Sequence, residues 1–380
     1  MPQFKFNTIS KTDIESSLGG AQMILAIDYD GPHHLLITGC PGSGKTTVSM
    51  MRAQRLVNMN SQILVITYQN LLKTSLLNIA ENNLKPKIHT FLRWYKDKFV
   101  YLNPNDDETA MLNSMNGWNG VDEIIIDEGQ DFESRVYRSL LKKCKRISVG
   151  ADNAQRVHSS GLKVEEIKEE INRVGSVYPI HLLYNYRNTF EVYNFARYFL
   201  PFNERANNNL AIDKIPKGKG IKPSLFLVQN EEQRLNQLKI LLTDSGDRNI
   251  AILVNQIAEA NMYHKVISDM GFKCSKYTSQ SPIGNEIENI IVTTFISAKG
   301  LEFQVVIMPT METKNGTDEQ YYIACTRAKE NLFLIAKGET IPSHFIDFDS
   351  ASYQLTKVGA TDAPISTDVF SSLNNDDLPF

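Results

Sequence analysis

Gly39-Cys40-Pro41-Gly42-Ser43-Gly44-Lys45-Thr46 is the stretch from which the rest of the chain is read. It fits the pattern G-x-x-x-x-G-K-[ST] at every fixed position. The apolar residues 34–38 before it read as a strand, and TVSMMRAQRLV after it suits a helix. Glycines in such a loop let backbone N–H groups turn inward onto phosphate oxygens, at the positive end of the helix that follows. Lys45 then neutralises the β- and γ-phosphates and Thr46 ligates Mg²⁺. Gly39, Gly42, Ser43, Gly44 and Thr47 complete the expected cradle for ATP. A glycine-rich turn arising by chance would lack the strand before it and the helix after it.

Outward from this loop, short β-branched runs alternate with longer periodic segments. HLLITG, ILVIT, EIIIDE and ISVGA punctuate the first half; LFLV, IAILV, IIVTT, VVIMP and LFLIA punctuate the second. Such runs, bounded by turn residues, read as buried strands of parallel sheets with helices between them. Two series of them predict an α/β protein of two lobes, 1–175 and 176–340. From 341 the pattern fades into Ser, Thr, Asn, Asp and Pro, which predicts a flexible acidic tail over 341–380. No apolar run approaches the ~18–20 residues that span a bilayer, so no membrane partner is expected. The N-terminus lacks the long apolar stretch of a signal peptide. The four cysteines (Cys40, Cys144, Cys274, Cys325) are never spaced as zinc ligands, and one lies in the phosphate loop. That usage implies a reduced, cytoplasmic setting.

The net charge of −3 speaks at first against a nucleic-acid partner. Residues 341–380 hold six acids and one base, so they carry −5 and leave +2 for residues 1–340. A weakly positive body suits a protein gripping a strand in a local cleft, not one coating it through a broad basic face.

A second chemical signal is Ile124-Ile125-Ile126-Asp127-Glu128-Gly129-Gln130-Asp131. A strand ending in adjacent carboxylates sets Asp127 at the sheet edge to hold the Mg²⁺ shell, with Glu128 free to activate water as general base. In isolation a solvated acidic turn is the plainer reading; downstream of a full phosphate loop it is not.

With DEGQD in place, the chain resembles the UvrD/Rep type of superfamily 1 helicases, whose motifs then follow in order. Gly150-Ala151-Asp152-Asn153-Ala154-Gln155 resembles motif III, which implies that Gln155 senses the γ-phosphate. Leu183-Tyr184-Asn185-Tyr186-Arg187 resembles motif IV, implying that Tyr186 stacks on the base and Arg187 reaches the γ-phosphate. Residues 294–303 (TFISAKGLEF) resemble motif V, with Gly300 near phosphate and Glu302 on the ribose. Residues 322–329 (YIACTRAK) resemble motif VI, whose arginine, Arg327, is a second finger. Gln22 resembles the adenine-reading Q motif, although a lone glutamine before a helix is commonly a solvated residue. The resemblance spans about residues 20–335 and implies two RecA-like P-loop lobes that clamp nucleotide between them.

The same resemblance implies a track for single-stranded DNA, with RNA not excluded. Thr67, Tyr68 and Asn70 match motif Ia, and Thr90 and Phe91 match the TFH segment; Thr294 of motif V reaches the strand from the second lobe. Hydroxyls and amides there would meet phosphates, and rings would stack bases. Phe91, Trp94 and Tyr95 equally suit a helix core, the reading favoured for Trp94 and Tyr95. Leu92 and Ile296 stand where the family often has His, and His158 stands near the usual motif III aromatic. Only about 25 residues separate Tyr95 from Val121, and about 40 separate IAILV from motif V, so the large accessory domains have no room. The expectation is a compact 3′→5′ single-strand translocase with limited unwinding, a monomer or loose assembly. The alternative is a nucleic-acid-stimulated ATPase switch that recruits or remodels partners.

The sequence ends Asn374-Asn375-Asp376-Asp377-Leu378-Pro379-Phe380, which resembles the acidic tip of bacterial single-stranded-DNA-binding protein. In that tip Phe fills an apolar pocket, a basic residue holds the terminal carboxylate and the acids meet nearby Lys and Arg. The resemblance implies partners that read such a tip, against the plainer reading of a solvated acidic end.

Overall fold

The computed structural model describes residues 3–5, 9–99, 107–156, 160–207, 210–279, 281 and 287–359. These form two compact units that divide between Tyr186 and Arg187.

The first unit runs α1 (Lys11–Glu15), α2 (Gly20–Asp28), β1 (His34–Gly39), α3 (Lys45–Asn58), β2 (Ile63–Thr67), α4 (Asn70–Ile79), β3 (Ile88–Thr90) and α5 (Phe91–Lys98). It continues with α6 (Glu108–Ser114), β4 (Val121–Ile126), α7 (Ser134–Leu141), β5 (Cys144–Ala151), α8 (Val164–Asn172) and β6 (Val177–Leu182). The six strands lie in the order β3-β2-β4-β5-β1-β6, each neighbour pair parallel. Ile124, Ile125 and Ile126 are all fully buried, because helices cover both faces and leave no solvated side for alternation to mark. Rings of α5 and α7 close one core, while α3 and α4 close another through Met50, Leu56, Leu72 and Leu76.

The expected boundary at 175/176 needs correction. β6 pairs with β1 along its whole length, from His34↔Val177 to Gly39↔Leu182, and so completes the first sheet. β1 already has β5 on one side; its other edge needs a partner, and Val177–Leu182 supplies it.

The second unit runs α9 (Phe190–Ala196), α10 (Phe202–Asn207), β7 (Ser224–Val228), α11 (Glu231–Ser245), β8 (Ile250–Val254), α12 (Ile257–Asp269), β9 (Ser275–Tyr277), β10 (Ile290–Thr294), β11 (Phe303–Met308), α13 (Asp318–Cys325), β12 (Ala328–Lys337) and β13 (Gln354–Lys357). Its sheet is parallel in the order β13-β7-β12-β11-β8-β10-β9. The extreme N-terminus belongs here too: Phe4 meets Phe303 edge-on at 5.7 Å, and Lys5 exchanges backbone bonds with the Asn249 amide.

A tail from 341 is likewise corrected. Phe345, Phe348 and Tyr353 pack around Phe195 at 5.3–6.1 Å between ring centroids. β13 then pairs with β7. Three rings spaced among Ser and Asp bury enough surface to hold the segment, although its mean hydropathy is low. Residues 360–380, the acidic tip included, lie outside the described residues. Among the described residues all four cysteines are free, and no helix is long and apolar enough to cross a membrane.

Candidate nucleotide site

Because the order β4-β5-β1 sets three parallel strands side by side, their carboxyl ends present Asp127, Asp152 and the phosphate loop together. Open parallel sheets bind ligands outside those ends. The loop turns into α3 at Gly44, whose φ of 92° is open to glycine and whose missing Cβ leaves room for the Met23 methyl. Lys45 is buried, its ammonium donating to the carbonyls of Gly39 at 2.7 Å and Cys40 at 3.0 Å. Thr46 Oγ1 donates to Asp127 Oδ2 at 2.8 Å. A hydroxyl and a carboxylate in contact beside the loop are the hard oxygen donors that Mg²⁺ takes alongside phosphate and water. The residues present therefore fit the ion, which Thr46 and Asp127 would hold. Gly150 leaves room for both neighbours, since a Cβ there would sit 3.3 Å from Asp127 Oδ1 and 3.6 Å from Lys45 Cβ.

Glu128 follows in the left-handed region, φ 60° and ψ 48°, an uncommon backbone state for a residue with a side chain. Beside it, Asp152 lies 3.7 Å from the Lys45 ammonium, caps Ala154 N–H at 3.0 Å and accepts from Gln155 Nε2 at 2.8 Å. Asp152 and Gln130 lie against these groups, although the motif reading gave neither a role. The signal for Asp152 was its place directly after a buried strand.

α2 and Tyr186 reach the loop through packing. α2 carries Gln22 in its first turn, half-buried, and presses Met23 on Gly44. Tyr186 N–H donates to Gly42 O at 2.9 Å and its hydroxyl donates to Leu18 O. Burial pushes the Tyr186 phenol up from its ordinary value. Its ring lies 6.3 Å from that of Tyr184, an aromatic the sequence reading passed over. Arg52 of α3 fixes the far end of α2 by donating to the carbonyls of Ala26 and Tyr29.

In the second unit Glu302 sits between two cations, accepting from Arg187 Nε at 3.2 Å and Lys329 Nζ at 2.9 Å. Burial alone would raise its carboxyl, but Arg187 and Lys329 outweigh it and hold the group at about 2. Burial, with the Lys329 ammonium, brings the nearby Lys217 amine down to about 8. Arg327 is buried, donating to the carbonyls of Ile323 at 3.0 Å and Leu301 at 3.3 Å. Asn188, beside Arg187, donates its amide to the carbonyls of Thr326 and Ala328 and so fixes the backbone on both sides of Arg327. Gly300 takes φ 85°. Thr294 is buried, its hydroxyl bonded to Ser297 Oγ at 2.9 Å.

The expected strand track is only partly at the surface. Tyr68 and Asn70 are half-buried, whereas Thr67 and Thr90 are buried at the ends of β2 and β3. Phe91 does not serve as a stacking ring: it is 3 % exposed, packed against Trp94, Tyr95 and Phe132 at 5.8–6.1 Å. Trp94 and Tyr95 are core, as their spacing suggests. Leu92 instead points out, 55 % exposed. His158 lies outside the described residues.

Residues 25–158 match the model of a protein family described as an AAA domain. Two solved structures of S. cerevisiae Dbp5 bound to RNA and ADP BeF3, one of them a point variant, each cover 89% of this chain and 88% of their own at a TM-score of 0.52. Their identities are 14% and 13%, so the likeness establishes the fold. The C-terminal domain of a possible DNA helicase from Lactobacillus plantarum WCFS1 is 25% identical over 45% of this chain and 98% of that one, at a TM-score of 0.35. No curated protein matches the sequence.

Proposed function

We propose that the chain hydrolyses ATP under the control of single-stranded nucleic acid and uses the cycle to move along single-stranded DNA. The observation that carries the reading is the contact of Thr46 with Asp127 beside the buried Lys45, with Glu128 next in sequence. Lys45 and the loop N–H groups bind phosphate, and Glu128 takes the proton of the attacking water. When bound, Mg²⁺ offsets charge on the β- and γ-phosphates. Gln22 and Tyr186 take the base, and Gln155, Gly300 and Glu302 respond to phosphate and ribose, by resemblance to the superfamily 1 motors. The shared fold with RNA-bound Dbp5 supports a nucleic-acid partner, and the superfamily resemblance favours DNA and 3′→5′ movement.

Strand-stimulated turnover tests this directly. Lys45→Ala should abolish it, and Glu128→Gln should bind ATP yet turn over at least ~100-fold more slowly, the scale of a lost general base. Stimulation by RNA and not by DNA would move the assignment to RNA. Stimulated hydrolysis with no translocation on labelled strands would favour the ATPase switch. Long duplexes should resist the purified protein, since the spacing between motifs leaves little room for large inserted accessory domains. Residues 376–380 are further proposed as a docking peptide for proteins that read the single-stranded-DNA-binding protein tip. A peptide of residues 371–380 that fails to compete for any such protein would end that idea.

A further inference from the structure

Gln130 is 0 % exposed and uses both ends of its amide. Oε1 accepts the backbone N–H of Asp152 at 3.1 Å, and Nε2 donates to Glu128 Oε2 at 2.6 Å. A backbone N–H can only donate, so the oxygen of the amide must face Asp152. That fixes the NH₂ toward Glu128, and only an acceptor satisfies it there. The Gln130 amide is therefore complementary to an accepting oxygen of the Glu128 carboxyl group.

Both ends of this link are themselves constrained. Glu128 has left-handed backbone, a state that persists where the surroundings over-determine it. The next residue is pinned: Tyr137 Oη donates to Gly129 O at 2.7 Å, and a Cβ on Gly129 would meet Val149 at 2.3 Å. At the other end Asp152 opens the turn Asn153–Gln155, capping Ala154 N–H and accepting from Gln155 Nε2. One side chain thus connects the Glu128 carboxylate to the turn that carries Gln155.

The geometry points to Gln130 as a positioning residue that orients Glu128 toward water and ties that orientation to the Asp152–Gln155 turn. This rests on the ATPase reading above. Water attacks the γ-phosphorus, the bond to the β-phosphate oxygen breaks, and Glu128 receives the proton; Gln130 touches none of the reacting atoms. Any shift of the turn would reach the base through this single amide.

Two arms test the link in the full chain. In the first, single-strand-stimulated hydrolysis is followed from pH 5.5 to 9 for the unaltered chain, Gln130→Ala and Gln130→Glu. Gln130→Ala should lower kcat about 10- to 100-fold, a fraction of the general-base contribution, with KM changed less than about threefold. Gln130→Glu nearly preserves shape and sets a second carboxyl against Glu128. Protonated, that group donates as the amide did; ionised, it repels Glu128. Its kcat should therefore fall with rising pH relative to that of the unaltered chain. A merely structural residue would depress kcat equally at every pH. A pH profile in Gln130→Glu parallel to the unaltered chain, or Gln130→Ala within twofold of it, overturns the proposal.

The second arm needs no ATP chemistry. Hydrogen exchange of the Asp152 amide should accelerate at least about tenfold in Gln130→Ala while the amides of β1 keep their protection. Unchanged protection at Asp152 overturns the link. If the unaltered chain fails to hydrolyse ATP, the functional reading falls, and the exchange arm alone decides whether Gln130 ties the two segments.

Discussion

Two arginines expected to act on phosphate are held in different ways, and their variants should differ accordingly. Arg187 shares Glu302 with Lys329, so removing it leaves that carboxylate still paired. Arg187→Ala should cut turnover by ~10³-fold with a much smaller loss of nucleotide affinity, as for arginine fingers, and with little change in melting. Arg327 donates to two carbonyls inside its own unit. Arg327→Ala should also lower stability, by about 1–3 kcal/mol for each buried acceptor left bare. Turnover and melting curves measured on both variants separate the effects. Normal hydrolysis in either variant would assign that arginine a structural job. Residue types and order were legible here from the sequence: NYR and TRAK announce two arginines. Asn188, which holds the Arg327 backbone from 139 positions away, carries no local pattern and so went unseen.

Among elements, the sequence shows that α3 is a helix but not what fastens it. Arg52 lies at the middle of the helix and pairs bidentately with Glu123 of β4, at 2.6 and 2.9 Å, both groups buried. It also caps the C-terminal carbonyls of α2, so one guanidinium joins the elements that carry Gln22, Lys45 and Asp127. Arg52→Met leaves Glu123 a buried charge with, among the described residues, Ser148 and Arg146 as its remaining partners. Breaking such a pair typically costs about 3–5 kcal/mol. Denaturant melts should show that loss, and Arg52→Met combined with Glu123→Leu should recover most of it. A single variant as stable as the unaltered chain would show that the tie is dispensable. Periodicity found the strands because β-branched runs between turns are local signals; partners far apart in sequence are not.

At the scale of the molecule, both unit boundaries were misjudged for the same reason: pairing at a sheet edge is decided by which strand lacks a neighbour. β6 filled such an edge in the first sheet and β13 did so in the second. A chain ending at residue 341 should therefore lose the buried rings of Phe345, Phe348 and Tyr353, each contributing about 1.5–3 kcal/mol. One ending at 359 should melt like the full chain. Equal melting of the two truncations would show that the segment adds nothing. Acid should weaken both units. His34 Nδ1 accepts Ile147 N–H, and burial, with Arg146, lowers its pKa. Burial, with Lys314, brings His344 to about 4. Both folded values lie below the ordinary 6.5, so the unfolded chain takes up protons first and stability falls as pH drops below about 6.5. Denaturant midpoints between pH 7 and 4.5 measure this, and His34→Asn should flatten part of the slope.

β13 is parallel to every other strand in its sheet, so the chain leaves it at the carboxyl edge, the same edge from which the segment after Thr294 emerges. Four strands lie between β13 and β10, which puts the two exits roughly 24 Å apart at the usual strand spacing. Whatever shape residues 360–380 take, covalent geometry limits their reach to about 75 Å. Anything gripped at Phe380 is thereby kept on a leash anchored at that edge, at a local concentration on the order of a millimolar. A partner with feeble affinity for nucleic acid would then meet whatever strand this unit holds far more often than diffusion from bulk allows.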